Sequence, residues 1–364
     1  MKVLIISPTL KIGGIEKALI SVADGLTALG VSVTFFVCNG HKPGFDLSDR
    51  PYPVVWSGLA YNGGFLNKVK YTFSLIIRMR EEIRQDTERR VLCFGDFMNP
   101  LVLLAGLWLK AKIYVSDRTS IDIKYAPISD LIIQNGKRFL YPRSAGFIAQ
   151  TERVRKHMNQ RFGQRLRVEV IPNAIKLIRG EAPQEREKSI LYVGRLSWEK
   201  GVDRLIQAFA KSDAPADWRL DIVGDGPLRR QYEAMVENLG IAKQVRFYGY
   251  QQPPDPYFLN SSIFVLPSHF EGFPNALCEA MSAGLPVACF ASIPHEAIIK
   301  QDVHGVVVPA DDIDAMAVAL KRLMDDPELR STMAANNVEH VKQFEASKIA
   351  RKLLDFMQLK PADV

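Results

Sequence analysis

A chain of 364 residues exceeds one ordinary hydrophobic core and suits two domains. Hydrophobic residues at 47% and charged residues at 24% are globular proportions, and the longest apolar run, around Leu101 to Leu109, is about half a membrane span, so no transmembrane helix is expected. The net charge of +7 is uneven: residues 1–180 hold 27 Lys and Arg against 14 Asp and Glu, residues 181–364 hold 20 against 26, so the first half suits an anionic partner, nucleic acid or an acidic membrane surface.

In chain order, Met1-Lys2 runs straight into Val3-Leu4-Ile5-Ile6, which Ser7-Pro8 cuts short, a pattern unlike a signal peptide. Strand Lys2–Ser7, the pair Gly13-Gly14 and a helical period from Ile15 to Leu29 open a doubly wound α/β domain. The pair is not G-x-G-x-x-G, so the dinucleotide fingerprint is absent. Strands follow at Val31–Cys38 and Tyr52–Ser57, then a long helix, Phe65 to Arg84, that interleaves Lys68, Lys70, Arg78 and Arg80 with Tyr71, Phe73, Leu75, Ile76 and Ile77. Such a basic amphipathic helix suits anionic lipid, or is a surface helix with an ordinary core face. Arg90–Asp96 and Lys112–Asp117 are strands around a buried helix, Asn99–Leu109; Gly146–Thr151 and Val168–Asn173 flank the basic helix Glu152–Arg161. Strands alternating with helices imply a parallel sheet with right-handed crossovers.

Residues 174–188 lose periodicity and read as a linker between a domain at 1–173 and another at 189–344. The second alternates strand Ser189–Arg195, helix Gly201–Lys211, strand Arg219–Gly224, helix Pro227–Leu239 and strand Val245–Tyr250. Strands Ile263–Pro267, Pro286–Phe290 and Gly305–Pro309 complete its sheet, and helices Asp311–Met324 and Pro327–Phe344 follow. Asp311-Asp312-Ile313-Asp314 opens a helix and compensates its dipole, so it is not a metal-binding D-x-D. Cys38, Cys93, Cys278 and Cys289 lack C-x-x-C spacing and read as small buried hydrophobes of a reducing compartment. Two such domains facing one another would hold a ligand at the carboxyl ends of their strands.

The most informative stretch is Ser268-His269-Phe270-Glu271-Gly272-Phe273-Pro274-Asn275-Ala276-Leu277-Cys278-Glu279-Ala280. It joins a buried strand to a helix, with Gly272 to permit an unusual backbone angle and Pro274 suited to the first helical position. The amides of Asn275 and Ala276 then form an anion site backed by the helix dipole. Glu271 and Glu279 bracket that site, and carboxylates there suit hydroxyls, one set from a ribose and one from a sugar. A diphosphate with a sugar at each end is a nucleotide-sugar. Arg195 and Lys200, in Val193-Gly194-Arg195-Leu196-Ser197-Trp198-Glu199-Lys200-Gly201, add two cations where a leaving nucleotide diphosphate would develop charge, so no metal or other cofactor is expected.

Glu271 and Glu279, with seven residues between them, resemble the E-x7-E motif of the retaining glycosyltransferases of family 4. Gly194 to Gly201 resembles that family's G-R-L-x-x-x-K-G segment, and Gly224-Asp225-Gly226-Pro227 its G-x-G-P turn. The resemblance implies the GT-B fold, two Rossmann-like domains facing a cleft, with a final helix at 345–360 that crosses back onto the first domain. It implies donor contacts at Gly13, Gly14, Gly194, Gly224, Gly226, Gly272, Phe273, Pro274, Asn275, Ala276 and Glu279, and at Tyr248 and Gly249 a strand end whose backbone reads the nucleobase. Catalysis would rest on Glu271, Arg195 and Lys200. On the acceptor side, Val115-Ser116-Asp117-Arg118-Thr119 has no His where some members carry one, so Arg118 is left to hold a phosphate and Asp117 a hydroxyl; Glu16 and Asp96 are further candidates. The expected activity is retaining transfer of a hexose or N-acetylhexosamine from a nucleotide-sugar, UDP-linked, to a glycan on a polyprenyl diphosphate lipid or lipopolysaccharide core. The basic first half would bring a cytoplasmic enzyme to the inner membrane face. Rivals are a sugar-nucleotide epimerase, a non-catalytic sugar-nucleotide-binding partner, and a nucleic-acid binder, which the core placement of the aromatics disfavours.

Overall fold

The computed structural model describes residues 1–11, 13–39, 47–61, 63–118, 127–180 and 183–359. Thr119, residues 181–182 of the linker stretch and residue 360 of the last expected helix lie outside the described residues. The chain divides into two compact units, one built from Met1–Ala174 with the residues from Phe344 onward, the other from Ile175–Gln343.

The first unit runs β1 (Lys2–Ser7), α1 (Gly14–Ala28), β2 (Ser32–Val37), β3 (Val54–Trp56), α2 (Phe65–Gln85), β4 (Arg90–Phe94), α3 (Met98–Ala105), β5 (Lys112–Ser116), α4 (Pro127–Leu140), β6 (Gly146–Ala149), α5 (Glu152–Phe162) and β7 (Val168–Val170). Its strands form one parallel sheet in the order β3-β2-β1-β4-β5-β6-β7. Both faces are covered, which is why the strands read as unbroken apolar runs. In β1, Val3 and Ile5 pack towards α1, while Leu4 and Ile6 pack towards α2 and α3.

Helix α3 is shorter than its apolar run suggested. It stops at Ala105 with Gly106 as its C-cap, and Gly106 packs so closely on Ile113 that a Cβ would stand 2.2 Å from that side chain. Helix α4 was not foreseen. Its Leu131 and Ile132 face solvent, while Ile133 and the charged Lys137 are buried, an unusual departure from the ordinary amphipathic pattern.

The second unit runs β8 (Ser189–Val193), α6 (Val202–Lys211), β9 (Arg219–Val223), α7 (Arg229–Asn238), β10 (Val245–Gly249), α8 (Asp255–Asn260), β11 (Ile263–Leu266), α9 (Asn275–Ser282), β12 (Val287–Phe290), β13 (Gly305–Val308), α10 (Ile313–Asp325) and α11 (Pro327–His340). Its six strands are parallel in the order β10-β9-β8-β11-β12-β13. The stretch read as a linker is fastened here: the Ile178 amide donates to Ser282 Oγ (2.9 Å), and Arg186 donates to the carbonyls of Phe258 and Ser261 (3.0 Å each). Helix α12 (Ala346–Phe356) belongs to the first unit, where it packs on α1. A Cβ on Gly25 would stand 2.3 Å from the Ala346 carbonyl, so only glycine permits that approach. The four cysteines are free and buried, and burial pushes their thiols up, that of Cys38 to about 12.

Candidate functional site

In a doubly wound sheet, ligands sit at the carboxyl ends of neighbouring strands whose connections leave in opposite directions. In the second unit those strands are β8 and β11. The loop after β8 carries Gly194 to Gly201, and the loop after β11 carries Pro267 to Pro274.

Glycine lets these loops and their neighbours meet backbone to backbone. Gly224 has φ 140°, and a Cβ there would lie 1.9 Å from the Gly194 carbonyl oxygen; one on Gly226 would lie 2.3 Å from the Leu196 carbonyl. The Gly194 amide donates to the Val223 carbonyl (3.0 Å), and the Gly224 amide to that of Gly249 (2.8 Å). Gly249, at φ 69°, is also left-handed. Asp225 is a turn residue: its Oδ1 accepts from the Gly226 amide at 2.7 Å, and its Oδ2 from Arg229 at 3.3 Å.

Lys200 and Glu271 meet across the switch point. Lys200 Nζ stands 2.7 Å from Glu271 Oε1, which also accepts from Ser268 Oγ at 2.7 Å. The two side chains are 27% and 13% exposed, so the pair is partly screened by solvent but fixed in place. Gly201, at φ 59°, turns the chain immediately after Lys200; a Cβ there would collide with the Pro267 carbonyl. Buried Arg204 donates to that carbonyl and to Asp311, and its guanidinium lies 4.2 Å from the Phe290 ring centre. The Arg195 carbonyl accepts from Tyr192 Oη at 2.9 Å, while its side chain is exposed. Trp198 stacks on His269, ring centres 4.7 Å apart. The His269 amide donates to the Glu199 carbonyl (2.9 Å), and burial and then Arg204 hold its imidazole below the usual range.

The start of α9 differs from expectation in three details. Pro274, at φ −83° and ψ 72°, is the cap and Asn275 the first helical residue. The Asn275 amide donates to the Phe273 carbonyl (3.0 Å), so Ala276 and Leu277 carry the first-turn amides that helix geometry leaves without intrahelical partners. Gly272 is not among the left-handed glycines; an open strand-to-helix loop does not need that angle. Phe273 is buried at the loop base, and Glu279 is buried in α9. Tyr248 turns from the loops: its hydroxyl donates to Asp221 (3.2 Å), its ring packs on Tyr257, and its carbonyl accepts from Gln251 (2.8 Å). Asp312 caps α10 by accepting from the Ala315 amide at 2.8 Å. Among the described residues no cluster of three or more His, Cys, Asp or Glu is arranged to hold a metal ion.

The acceptor candidates all lie in the first unit. Glu16, in the first turn of α1, folds back on the preceding loop: its Oε1 accepts from Thr9 Oγ1 at 2.5 Å, and a Cβ on Gly13 would stand 2.5 Å from its Oε2. Gly14 opens α1. Asp96 and Asp117, after β4 and β5, are joined by Lys137 of α4, whose Nζ donates to Asp96 Oδ1 (2.6 Å) and Asp117 Oδ2 (2.7 Å). Tyr141 Oη and Asn99 Nδ2 donate to Asp117 Oδ1 at 2.5 and 2.9 Å. Burial and then Asp96 raise Asp117, with Lys137 opposing. Burial alone would lower Lys137, but Asp117 and Asp96 outweigh it, so it stays protonated. Asp117 thus has cationic, phenolic and amide partners already in place.

Arg118, expected to hold a phosphate, is buried. Its guanidinium lies 3.4 Å from the Phe94 ring centre and donates to Asn173, and burial lowers its pKa to about 9. Lys137 and Arg204 escaped the sequence reading because a basic residue on a helix is ordinarily solvated.

A Glycosyltransferase Family 4 model matches residues 12–179, and a Glycosyl transferases group 1 model matches residues 173–340. An exopolysaccharide phosphotransferase of Streptomyces coelicolor is 33% identical over 218 residues, 58% of this chain; the match spans only 23% of that longer protein. The N-acetylgalactosamine-N,N'-diacetylbacillosaminyl-diphospho-undecaprenol 4-alpha-N-acetylgalactosaminyltransferase of Campylobacter jejuni is 27% identical over 285 residues, 75% of this chain and 76% of that one. Among solved structures, the lipopolysaccharide outer core galactosyltransferase WaaB in its apo form superposes with TM-score 0.76 at 19% identity, covering 98% of this chain and 99% of that one. Anabaena HepE in complex with UDP does so with TM-score 0.80 at 17% identity, covering 98% and 100%. With two Rossmann-like parallel sheets and two adjoining family matches, the chain belongs to the glycosyltransferases of family 4 and group 1, with the GT-B fold.

Proposed function

We propose that this protein transfers a hexose or N-acetylhexosamine, with retention of configuration and without a metal ion, from a UDP-sugar to a glycan on a polyprenyl diphosphate lipid or lipopolysaccharide core. The observation that carries the reading is the Lys200–Glu271 pair, 2.7 Å apart at the switch point of the second sheet, beside the exposed Arg195 and the start of α9. Lys200, Arg195 and the first-turn amides of α9 supply positive potential for a diphosphate. Glu271, held by Ser268, orients Lys200 and accepts from a donor-sugar hydroxyl, while Glu279 serves the ribose.

The acceptor hydroxyl attacks the anomeric carbon on the face that the diphosphate leaves. The bond from that carbon to the phosphate oxygen breaks, the new glycosidic bond forms, and the hydroxyl proton passes to the departing phosphate oxygen. No protein base is required. The UDP complex of the HepE structure and the diphospho-undecaprenol acceptor in the Campylobacter relative's name support these choices of donor and acceptor class. Working on a lipid-borne acceptor, the protein would be peripheral at the inner face of the cytoplasmic membrane.

Screening UDP-, GDP- and ADP-sugars by thermal shift identifies the donor, since a ligand of the folded state raises the melting temperature. Lys200→Ala and Glu271→Ala should then each reduce transfer by about a thousandfold, the scale of lost charge stabilisation in a transition state. Near-wild-type turnover in either variant refutes the assignment.

A further inference from the structure

Of the seventeen large hydrophobic residues exposed on the described chain, ten lie on α2, α3, α4 and the turns beside α3. Helix α2 buries Leu75, Met79 and Ile83, yet its opposite face carries a second apolar stripe at Leu66, Val69, Phe73 and Ile77, spaced three or four residues apart. Helix α4 exposes Leu131, Ile132 and Phe139. Helix α3 packs against both. The turn after it holds Trp108 at φ 61°, with 93% of its surface exposed. A bulky aromatic in the left-handed region is unusual, and here the turn is secured: Arg80 of α2 donates to the carbonyls of Ala105 (2.9 Å) and Leu107 (2.7 Å). The chain thus braces an indole that projects into solvent.

Charge narrows the partner. Exposed Lys68, Lys70, Arg84, Lys110 and Arg138 lie among these apolar side chains, whereas exposed Glu81 is paired with Arg78 (2.9 Å) and Glu82 is buried against Arg89 (2.8 Å). Apolar side chains, an exposed indole and a basic fringe match the headgroup boundary of an anionic bilayer, where tryptophan rings settle and lysines meet acidic lipid.

We infer that this face of the first unit inserts into anionic membrane, with Trp108 and the stripes of α2 and α4 entering the headgroup region. The inference rests on the lipid-borne acceptor proposed above and adds that attachment is apolar as well as electrostatic.

The test is co-sedimentation with phosphatidylcholine vesicles, with and without phosphatidylglycerol, together with tryptophan emission. The protein should pellet with the anionic vesicles, keep part of that binding in high salt, and show a blue shift that Trp108→Phe abolishes. The triple variant Phe73→Ser, Trp108→Ser, Ile132→Ser should bind at least about tenfold more weakly, the scale of losing buried apolar side chains. All three positions are exposed, so circular dichroism should be unchanged, and single Trp108→Ser should weaken binding by itself. Transfer to a water-soluble acceptor should be unaffected in these variants; in the unsubstituted protein, failed vesicle binding with intact transfer overturns only this inference, and absent transfer overturns only the proposed activity. Loss of all vesicle binding in high salt, an unshifted emission, or full binding by the triple variant would each overturn it. So would light scattering that shows a dimer dissociated by the triple variant, since the face would then be a contact between copies.

Discussion

Lys137→Met should be the most informative single change in the first unit. Methionine keeps much of the side chain's length and removes its charge, leaving Asp96 and Asp117 buried without their shared cation. All three side chains are at most 13% exposed, so water does little to compensate. Removing one partner of such a buried group costs about 3–5 kcal/mol, against a total stability of about 5–15 kcal/mol. For a unit of this size that lowers the melting temperature by about 6–20 °C.

The pH dependence gives the sharper check. Burial and then Asp96 already raise Asp117 above its usual 3.8, and Lys137 opposes that rise. In the variant the opposition is gone, so the folded-state pKa climbs further above the unfolded value. From about pH 4 upward the folded variant then holds more protons than the unfolded chain, and its stability falls as pH rises through that window. The variant's deficit against the parent should therefore be smaller at about pH 5 than at about pH 7. Thermal unfolding at the two pH values, with hydrogen exchange of β4 and β5 to locate the loss, measures this. A deficit below about 1 kcal/mol at neutral pH, or one that does not vary with pH, would refute the reasoning.

Gly224→Ala should cost about 3 kcal/mol or more and weaken binding of nucleotide diphosphate, because the new Cβ would stand 1.9 Å from the Gly194 carbonyl at φ 140°. A wild-type melting temperature and wild-type nucleotide affinity would show that the loops do not depend on this contact. Transfer should persist in excess EDTA, because Lys200 and Arg195 are assigned the charge compensation; activity lost in EDTA and restored by Mg²⁺ would end the metal-free reading.

Much of the fold was legible because both sheets are parallel and covered on both faces. Runs such as Val91-Leu92-Cys93-Phe94 and Ile263-Phe264-Val265-Leu266 announce strands, and helical periods between them announce crossovers. The ends were less legible. Strand β7 ends at Val170, short of the expected Asn173, and α8, only six residues long, is too short for a period to show. Helix α4 was hidden because its exposed face is as apolar as a core face and its inward face carries Lys137. At the site, spacing alone could not reveal that the Asn275 amide folds back on Phe273, or that Arg118 lies over Phe94. Side-chain enclosure depends on neighbours far away in sequence, such as Asn173 for Arg118. The glycines of the second unit were legible as turns, but their closest constraint is the carbonyl of an adjacent loop rather than a positive φ alone.

The return of α12 to α1 fixes an order of assembly. Ile349, Ala350, Leu353, Leu354, Phe356 and Met357 complete the core that Leu19, Val22, Ala23 and Leu26 begin, and the entire second unit is encoded between the two groups. During synthesis the α1 side of the first sheet therefore waits for its cover while more than three hundred residues are added, an interval of tens of seconds at about 5–20 residues per second. The second unit, contiguous in sequence, has all its strands available before that cover arrives. A nascent chain of this design finishes its middle first and seals its beginning last, and in the interval the bare face of α1 is the surface most in need of a chaperone.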